Sequence, residues 1–482
     1  MNDFAATPFI NPKTTEGETP AWWKSFHEFS QGTSRPEARP HGRASCTTVK
    51  APAWLSDWQH RRGCRMGFLE DFFAKLIKTG SIEIETSSGR KFTAGQGKAP
   101  PLGLRFNDKT APIWLMLDPE LQFGELYVDG RIDITRGTLY GVLMLGAANM
   151  WRPDGSLRLR MLLKARQALR WLGRPNNLVR ARRNAAHHYD LDAGFYQRFL
   201  DSGMQYSCAY FERDGQSLET AQIAKQRHIA AKLLIEPGHS ILDIGSGFGS
   251  MAIYLARVCG ASVTGITLSR TQIGVAKSAA ARLGLSGATD FRLCDYRELE
   301  GRYDRIVSVG MFEHVGLKHY DAYFRKVAQL LGDDGVALIH TIGRADGPCA
   351  TNPWVAKYIF PGGYMPALSE IMPSIERSGL FVTDIEILRL HYAETVRAWR
   401  ERFAARRADV QASHGERFCR IWELYLAGSE AAFRCEGLVV FQIQLSKKLG
   451  TVPLTRDYIA RAEAELRKRD SAAAMLRLAA GE

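Results

Sequence analysis

The sequence lacks any pairing pattern among its cysteines and any long apolar run. Its 8 cysteines include no C-x-x-C pair and no metal-ligand spacing, and no signal peptide precedes them. No apolar run reaches the roughly 20 residues that a membrane-spanning helix requires. These absences argue against a disulfide framework, a structural metal site and a membrane-spanning protein. We therefore expect a cytoplasmic protein, which at most associates peripherally with the inner face of the membrane.

Acidic residues are the scarcer charged class, and the formal net charge is +13. Such an excess implies an anionic partner, which is nucleic acid, an anionic membrane surface or an acidic soluble substrate. The stretch from Arg158 to Arg183 contains no acid and interleaves its basic residues with leucines. This composition is typical of a basic amphipathic helix on anionic lipid, but a solvated linker helix would share it.

Changes in composition and periodicity divide the chain into segments. Residues 1–65 are rich in Pro, Thr, Ser, Gly and Arg, which predicts a mobile tail. Residues 66–150 predict a small α+β domain, residues 151–189 a basic amphipathic linker, and residues 190–482 a larger α/β domain.

The segment 66–150 opens with apolar residues spaced by three and four between Phe68 and Ile77, which predicts a helix. Alternation in Ile82–Glu85 predicts a strand, and the apolar run Ile113–Leu117 predicts another. The run Gly124–Gly130 is interpreted as a strand and turn with a structural glycine, without a catalytic role.

The larger domain alternates apolar segments with helical periodicity. The predicted strands are Ser240–Ile244, Ser262–Thr267, Arg305–Val309 and Val336–Ile342. This alternation predicts an α/β fold with a mostly parallel, Rossmann-like sheet. A last apolar run, Gly437–Gln444, predicts an antiparallel edge strand.

Three glycines, Gly245, Gly247 and Gly249, follow the first of these strands and precede a helical run. This context favours a nucleotide-like cofactor at the positive end of a helix. A dinucleotide site expects a glycine at position 250, where Ser250 stands, and a ribose-binding acid after the next strand, where none occurs. S-adenosylmethionine fits better, with Asp243 orienting the turn.

Several motifs carry a resemblance to one family. They are the segments Tyr206–Phe211, Gly124–Gly130, Thr267–Gln272, Glu313–Gly316, His340–Gly343 and His391–Trp399. Together they resemble the cyclopropane-fatty-acyl-phospholipid synthase and mycolic acid cyclopropane synthase family, over roughly residues 66–470. The resemblance implies a class I methyltransferase domain preceded by a small α+β lipid-binding domain.

The resemblance also implies site residues. Those expected to bind S-adenosylmethionine are Tyr206, Ser207, Asp243, Gly245, Gly247, Thr267, Leu268, Gln272, Asp295 and Tyr296. Those expected to form a bicarbonate site are Cys208, Glu313, His340, Tyr392 and the backbone N–H of Ile342. Cys208 could instead be a thiolate nucleophile, but no adjacent base is evident in the sequence. Ser429 stands where some relatives carry a cysteine, so that cysteine cannot be essential if the chain is active.

Methyl transfer to an isolated cis double bond is difficult because a weak nucleophile gives a carbocation. The site must exclude water, stabilise the cation and remove one proton. Aromatic faces attract cations, and the candidates are Tyr206, Tyr210, Phe211, Phe312 and Tyr392. Core packing explains each of these aromatic residues equally well.

The implied activity is transfer of a methylene group to unsaturated acyl chains of membrane phospholipids, giving cyclopropane fatty acids. The expected partner is an anionic phospholipid bilayer, and a homodimer fits this architecture. Nucleic acid is not expected, because the sequence has neither an N/D-P-P-Y/F motif nor a proline-cysteine segment. The alternatives are methyl or methylene branching of the same chains, and a non-catalytic peripheral lipid-binding protein.

Overall fold

The computed structural model describes residues 65–97, 100–150, 161, 165–166, 168 and 192–479, of which 65–66, 150 and 471–479 are described by their backbone alone. The predicted tail over 1–65 lies outside the described residues except for Arg65. The predicted linker over 151–189 lies outside them except for Met161, Ala165, Arg166 and Ala168.

The amino-terminal part is an α+β unit built on a four-stranded sheet in the order β2-β1-β3-β4. Its elements are α1 (Arg65–Leu76), β1 (Ser81–Glu85), β2 (Lys91–Gly95), β3 (Leu102–Phe106), α2 (Ala111–Leu117), α3 (Pro119–Val128), β4 (Ile132–Arg136) and α4 (Leu139–Met150). β1 is parallel to β3, and the other pairs are antiparallel. Ile82 and Ile84 alternate into the core, where they join Phe73 and Phe106. The helix and strand predicted at residues 68–77 and 82–85 are confirmed.

The strand predicted at Ile113–Leu117 is wrong, because these residues belong to helix α2. Pro112 lies in its first turn, where a missing N–H is tolerated. Asp108 Oδ1 accepts from the N–H groups of Thr110 and Ala111 at 2.7 and 2.9 Å and so directs the chain into the helix. A short apolar run cannot distinguish a buried helix from a strand.

The strand predicted in Gly124–Gly130 is also wrong. These residues form the end of helix α3 and a turn in which Gly130 has a φ of +69°. Gly124 is needed within the helix because a Cβ there would lie 2.4 Å from Trp354 Cδ1. The motif is a docking surface for the second part of the chain.

The second part begins with short helix α5 and the long buried helix α6. Its elements are α5 (Ala193–Tyr196), α6 (Leu218–Lys232), β5 (Ser240–Ile244), α7 (Ser250–Cys259), β6 (Ser262–Thr267), α8 (Arg270–Arg282), β7 (Thr289–Leu293), β8 (Tyr303–Val309), α9 (Tyr320–Leu330), β9 (Leu331–Arg344), α10 (Pro353–Tyr358), α11 (Leu368–Glu376), β10 (Phe381–Leu388), α12 (His391–Ala405), α13 (Arg407–His414), α14 (Glu416–Cys435), β11 (Leu438–Ser446) and α15 (Asp457–Ala479). The seven strands have the order β10-β11-β9-β8-β5-β6-β7. Strands β5 to β9 are mutually parallel, so the predicted α/β sheet is confirmed.

β11 is antiparallel, as predicted, but it is not an edge strand. It lies between β9 and β10, and every residue from Leu438 to Ser446 is buried. β10 covers its outer side. The prediction missed β10 because polar residues such as Thr383, Asp384 and Glu386 interrupt its apolar pattern.

The two parts of the described chain contact each other through α3. Glu125 accepts hydrogen bonds from Lys357 Nζ and Tyr358 Oη, both at 2.8 Å, and Tyr127 Oη donates to Glu423 at 3.1 Å. Within the described ranges, no helix combines the length and the apolar character needed to cross a bilayer.

Within the basic stretch from Arg158 to Arg183, Arg166 is the one arginine that the structure describes. Its guanidinium pairs with Asp118 and, at 2.5 Å, with Glu120. This residue therefore pairs with carboxylates of its own chain.

Candidate active site

A cavity of about 180 Å³ lies at the carboxyl ends of β5, β6 and β8. The strand order reverses at β5, whose neighbours are β6 and β8, and such a crevice is the usual ligand site of an open α/β sheet. Every predicted cofactor residue lines it. These are Tyr206, Ser207, Asp243, Gly245, Gly247, Thr267, Leu268, Gln272, Asp295 and Tyr296.

The glycine turn shapes one wall of this cofactor cavity. Gly245 and Gly247 have φ values of +86° and +55°, and the N–H groups of Gly245 and Ser246 both donate to Ile266 O at 2.9 Å. A Cβ at Gly245 would lie 2.8 Å from Met311 Cβ, whereas a Cβ at Gly247 would meet no protein atom within 4 Å. Protein packing therefore requires the first glycine, and the second leaves space for a ligand.

Asp243 is the next-to-last residue of β5, and its side chain is buried, with 1% exposure. Its Oδ2 atom has no hydrogen-bond partner among the described residues. Burial raises the pKa of Asp243 to about 7. An orphaned buried oxygen of this kind fits a ligand that brings its own hydrogen-bond donor.

The far end of the cofactor cavity offers hydroxyl and amide groups. Thr267 Oγ1 donates to Gln272 Oε1 at 2.8 Å and accepts from the N–H of Ser269 at 3.2 Å. Asp295 lies across from them and is paired with Arg297 at 2.7 Å. The hydroxyl, amide and carboxylate groups of this cavity, together with its glycine backbone, fit the amino-acid and nucleoside portions of S-adenosylmethionine.

A second cavity, of about 330 Å³, joins the two parts of the described chain. Apolar side chains of α1, α3 and α4 form its outer walls, including Phe72, Leu76, Phe123 and Leu143. Its inner end adjoins the cofactor cavity. The residues that line both cavities are Tyr206, Ser207, Gly310 and His314.

All five residues predicted for the bicarbonate site line the inner end of this apolar cavity. They are Cys208, Glu313, His340, Ile342 and Tyr392. Glu313 stands in the short helical turn Phe312–His314 directly after β8, and its Oε1 accepts from the Ile342 N–H at 2.6 Å. Its Oε2 has no partner among the described residues, and burial raises the pKa of Glu313 to about 7.

His340 projects from β9 opposite Gln442 of β11. The Gln442 amide lies 3.2 Å from His340 Nδ1, and Nε2 has no partner among the described residues. Burial lowers the pKa of His340, so the imidazole is neutral. Because an amide NH₂ group only donates, we assign the imidazole proton to Nε2, where it can donate into the cavity. Gln442 was not among the residues predicted from the sequence, although a glutamine within an apolar strand was a signal.

Cys208 is fully buried, and burial raises the pKa of its thiol. The thiol donates to its neighbour Ala209 O at 3.3 Å. The Ala209 N–H donates to Thr395 Oγ1 at 3.0 Å and fixes this segment. A neutral thiol in this position disfavours the alternative role as a thiolate nucleophile.

The aromatic candidates separate into two groups. Tyr206 and Tyr392 line the apolar cavity. Tyr210 stacks between the rings of His228 and His391, at 4.3 and 4.8 Å. Phe312 packs against Tyr320 in the core at 4.4 Å, so Tyr210 and Phe312 are not positioned to shield a cation in this cavity.

Phe211 is likewise absent from the walls of both cavities. Its ring lies 6.4 Å from that of His391, and its N–H donates to His391 Nδ1 at 2.9 Å. Tyr425 was not predicted from the sequence, but it lines the apolar cavity, and its Oη accepts from Tyr206 Oη at 2.8 Å. Ser429 lines the same cavity.

Comparison with known proteins identifies the family. The family model described as mycolic acid cyclopropane synthetase matches residues 176–443. The chain belongs to this family. The cyclopropane-fatty-acyl-phospholipid synthase of Escherichia coli K12 is 41% identical over 260 residues, which are 54% of this chain and 66% of that relative. The chain thus spans just under two thirds of that relative.

Two other proteins match this chain over more of their own length. A probable fatty acid methyltransferase of Mycobacterium tuberculosis, Rv3720, is 32% identical over 77% of this chain and 95% of its own. The crystal structure of mycolic acid cyclopropane synthase CmaA1 complexed with SAH and CTAB is 32% identical, with a TM-score of 0.53 over 55% of this chain and 97% of that chain. The family resemblance and the class I methyltransferase fold predicted from the sequence are confirmed.

Proposed function

We propose that this chain transfers the methyl carbon of S-adenosylmethionine to the cis double bond of unsaturated acyl chains in membrane phospholipids, forming a cyclopropane ring. The observation that carries this proposal is the meeting of two unlike cavities. A cavity that contains the polar side chains of Asp243 and Thr267 adjoins an apolar cavity lined by Phe72 and Phe123. A methyl donor in the first and an alkene in the second would meet beside Tyr206 and Ser207.

The walls of the apolar cavity support an acyl substrate. They come from both parts of the chain, and they include Gly124 and Trp354, which pack closely together. Tyr206 and Tyr392 present aromatic surface at the end next to the cofactor cavity. Such surfaces exclude water and stabilise a positive charge that develops on the alkene.

Polar groups at the inner end support bicarbonate as the base. Glu313 Oε2 and His340 Nε2 are buried without partners among the described residues, and both residues line this end of the cavity. Bound bicarbonate would supply the base that removes one proton and allows the ring to close. His340 would donate to this anion from Nε2, while Glu313 would accept a proton from it. The Ile342 N–H donates to Glu313 Oε1 and so positions that carboxylate, and it would bind the anion only by leaving this bond.

The surface of the amino-terminal part supports a membrane substrate. Phe68 on α1 and Trp114 on α2 are 56% and 46% exposed. Exposed aromatic residues and the net charge of +13 fit peripheral binding to an anionic bilayer. The proposed location is therefore the inner face of the cytoplasmic membrane. A homodimer fits such an enzyme.

The test uses the full chain, vesicles of unsaturated phosphatidylglycerol and S-adenosylmethionine with a deuterated methyl group. We expect acyl chains that gain one methylene group with two of the three deuterons and that resist mild hydrogenation. Transfer of the label to nucleic acid instead, or no transfer to any lipid, would overturn the proposal.

Methyl or methylene branching is the second candidate, and one observation favours it. Rv3720, which this chain matches over 95% of its length, is described as a probable fatty acid methyltransferase. The same experiment decides between the products. Hydrogenation converts a methylene branch into a methyl branch that carries two deuterons. A methyl branch formed by loss of a proton from a neighbouring chain carbon instead retains all three deuterons.

A further inference from the structure

Lys225 is a buried ammonium group on the wall of the cofactor cavity. It projects from α6 and is 2% exposed. Its Nζ atom donates to Ser207 Oγ at 2.8 Å, and both residues line the cavity together with Asp243. Lys225 lies in none of the motifs recognised in the sequence, and no function was predicted for it.

The acids near Lys225 leave its charge without a direct counter-ion. Asp201 accepts from the N–H groups of Gly203 and Gln205, both at 2.9 Å, and from Gln205 Nε2 at 3.1 Å. Asp201 and Asp243 raise the pKa of Lys225 only through space. Among the described residues, the hydrogen-bond acceptor of this ammonium group is the neutral Ser207 hydroxyl.

A buried cation with one neutral acceptor is costly unless an anion joins it. Burial lowers the pKa of Lys225 to about 8, so the group is still mostly charged at neutral pH. Its remaining N–H groups are available to a ligand in the cavity. The amino-acid portion of S-adenosylmethionine carries one carboxylate of the required charge.

We propose that Lys225 binds the α-carboxylate of S-adenosylmethionine, together with the Ser207 hydroxyl. Because Ser207 Oγ accepts from Lys225, its own O–H can donate to the same carboxylate. This inference rests on the proposed function, since it takes S-adenosylmethionine as the cofactor. It adds a binding residue on a helix that none of the recognised motifs reaches.

The test measures calorimetric affinities for three ligands. They are S-adenosylhomocysteine, its decarboxylated analogue and 5′-methylthioadenosine, which lacks the amino-acid portion. The native chain should bind S-adenosylhomocysteine about 10- to 100-fold more tightly than the decarboxylated analogue, as expected for a charge-assisted contact. Lys225→Met should abolish that preference and leave the affinity for 5′-methylthioadenosine unchanged. Lys225→Arg should retain much of the preference.

Lys232 provides a matched control on the same helix. It is 0% exposed and pairs with Glu386 and Asp384 instead of facing the cavity. Any effect of Lys232→Met should be the same for all three ligands. If Lys225→Met does not fold, the ligand comparison in the native chain and in Lys225→Arg decides the question.

Two results would overturn the role of Lys225. One is equal affinity of the native chain for S-adenosylhomocysteine and its decarboxylated analogue, and the other is an undiminished preference in Lys225→Met. Failure of the native chain to bind any of the three ligands would instead overturn the proposed cofactor. The two failures are therefore distinguishable.

Discussion

Glu313 and Ile342 are joined by a hydrogen bond of 2.6 Å from the Ile342 N–H to Glu313 Oε1. This bond connects the turn after β8 to β9 and fixes one carboxylate oxygen. The other oxygen, Oε2, has no partner among the described residues and belongs to a residue that lines the apolar cavity. The arrangement holds a proton acceptor in one orientation.

Replacing Glu313 by Gln should lower turnover by about 100-fold or more, because the proton acceptor is lost. Calorimetry should give nearly the same affinity for S-adenosylmethionine, since Glu313 does not line the cofactor cavity. Added bicarbonate should restore part of the activity if the substitution only weakens anion binding. Glu236→Gln, at a side chain that is 80% exposed, is the control. Full turnover of Glu313→Gln in bicarbonate-free buffer would contradict the mechanism.

Turnover should also depend on pH through Glu313. Burial raises the pKa of this carboxyl to about 7, and only its ionised form accepts a proton. The rate should therefore fall as the pH is lowered through about 7, and the remaining activity of Glu313→Gln should lack this dependence. Burial raises the pKa of Asp243 to about 7 as well. The affinity for S-adenosylmethionine is therefore measured across the same pH range to separate the two groups.

Gln442 should control which nitrogen of His340 carries the proton. Gln442→Glu should move the proton to Nδ1, because a carboxylate only accepts. Nitrogen NMR of labelled histidine should show the altered tautomer, and turnover should fall about tenfold or more. Gln444→Leu is the control on the same strand, because Gln444 bonds Lys232 O and Tyr458 Oη instead of a cavity residue. It should lower the melting temperature without changing the tautomer.

Gly247→Ala should weaken binding of S-adenosylmethionine by about tenfold or more while leaving the chain folded. The added Cβ would meet no protein atom within 4 Å and would occupy cavity space. Gly245→Val should instead lower the melting temperature, because the Cβ at position 245 would lie 2.8 Å from Met311 Cβ. Unchanged calorimetric affinity in folded Gly247→Ala would contradict the assignment of this turn.

The basic stretch should bind anionic vesicles through residues other than Arg166. Replacing Arg158, Arg160 and Lys164 by Gln should weaken association with anionic vesicles more than with neutral ones, since each charge contributes about 1 kcal/mol near such a surface. The difference should shrink as salt is added. Arg166→Gln should mainly reduce stability, because Arg166 pairs with Asp118 and Glu120. If the triple variant sediments like the parent, the stretch is a solvated linker.

The sequence by itself determined the cofactor turn and the principal parallel strands. Gly245 and Gly247 follow an apolar strand within a few residues, and such local patterns reflect the short-range geometry of strands, turns and helices. The motif residues Cys208, Glu313 and His340 were also identified from the sequence, because each stands within a short recognisable segment.

Only the tertiary structure decided which of these residues meet, because those contacts join segments far apart in the chain. The pairing of His340 with Gln442 depends on strand register, and the inner position of β11 depends on β10. Tyr210 looked like a site residue, but it stacks between two histidines. Lys225 belongs to no motif of the sequence, and only the fold places its buried ammonium group beside Ser207. Burial and contacts between distant segments of the chain set the free-energy cost of each charged group. No local sequence pattern reports either of them.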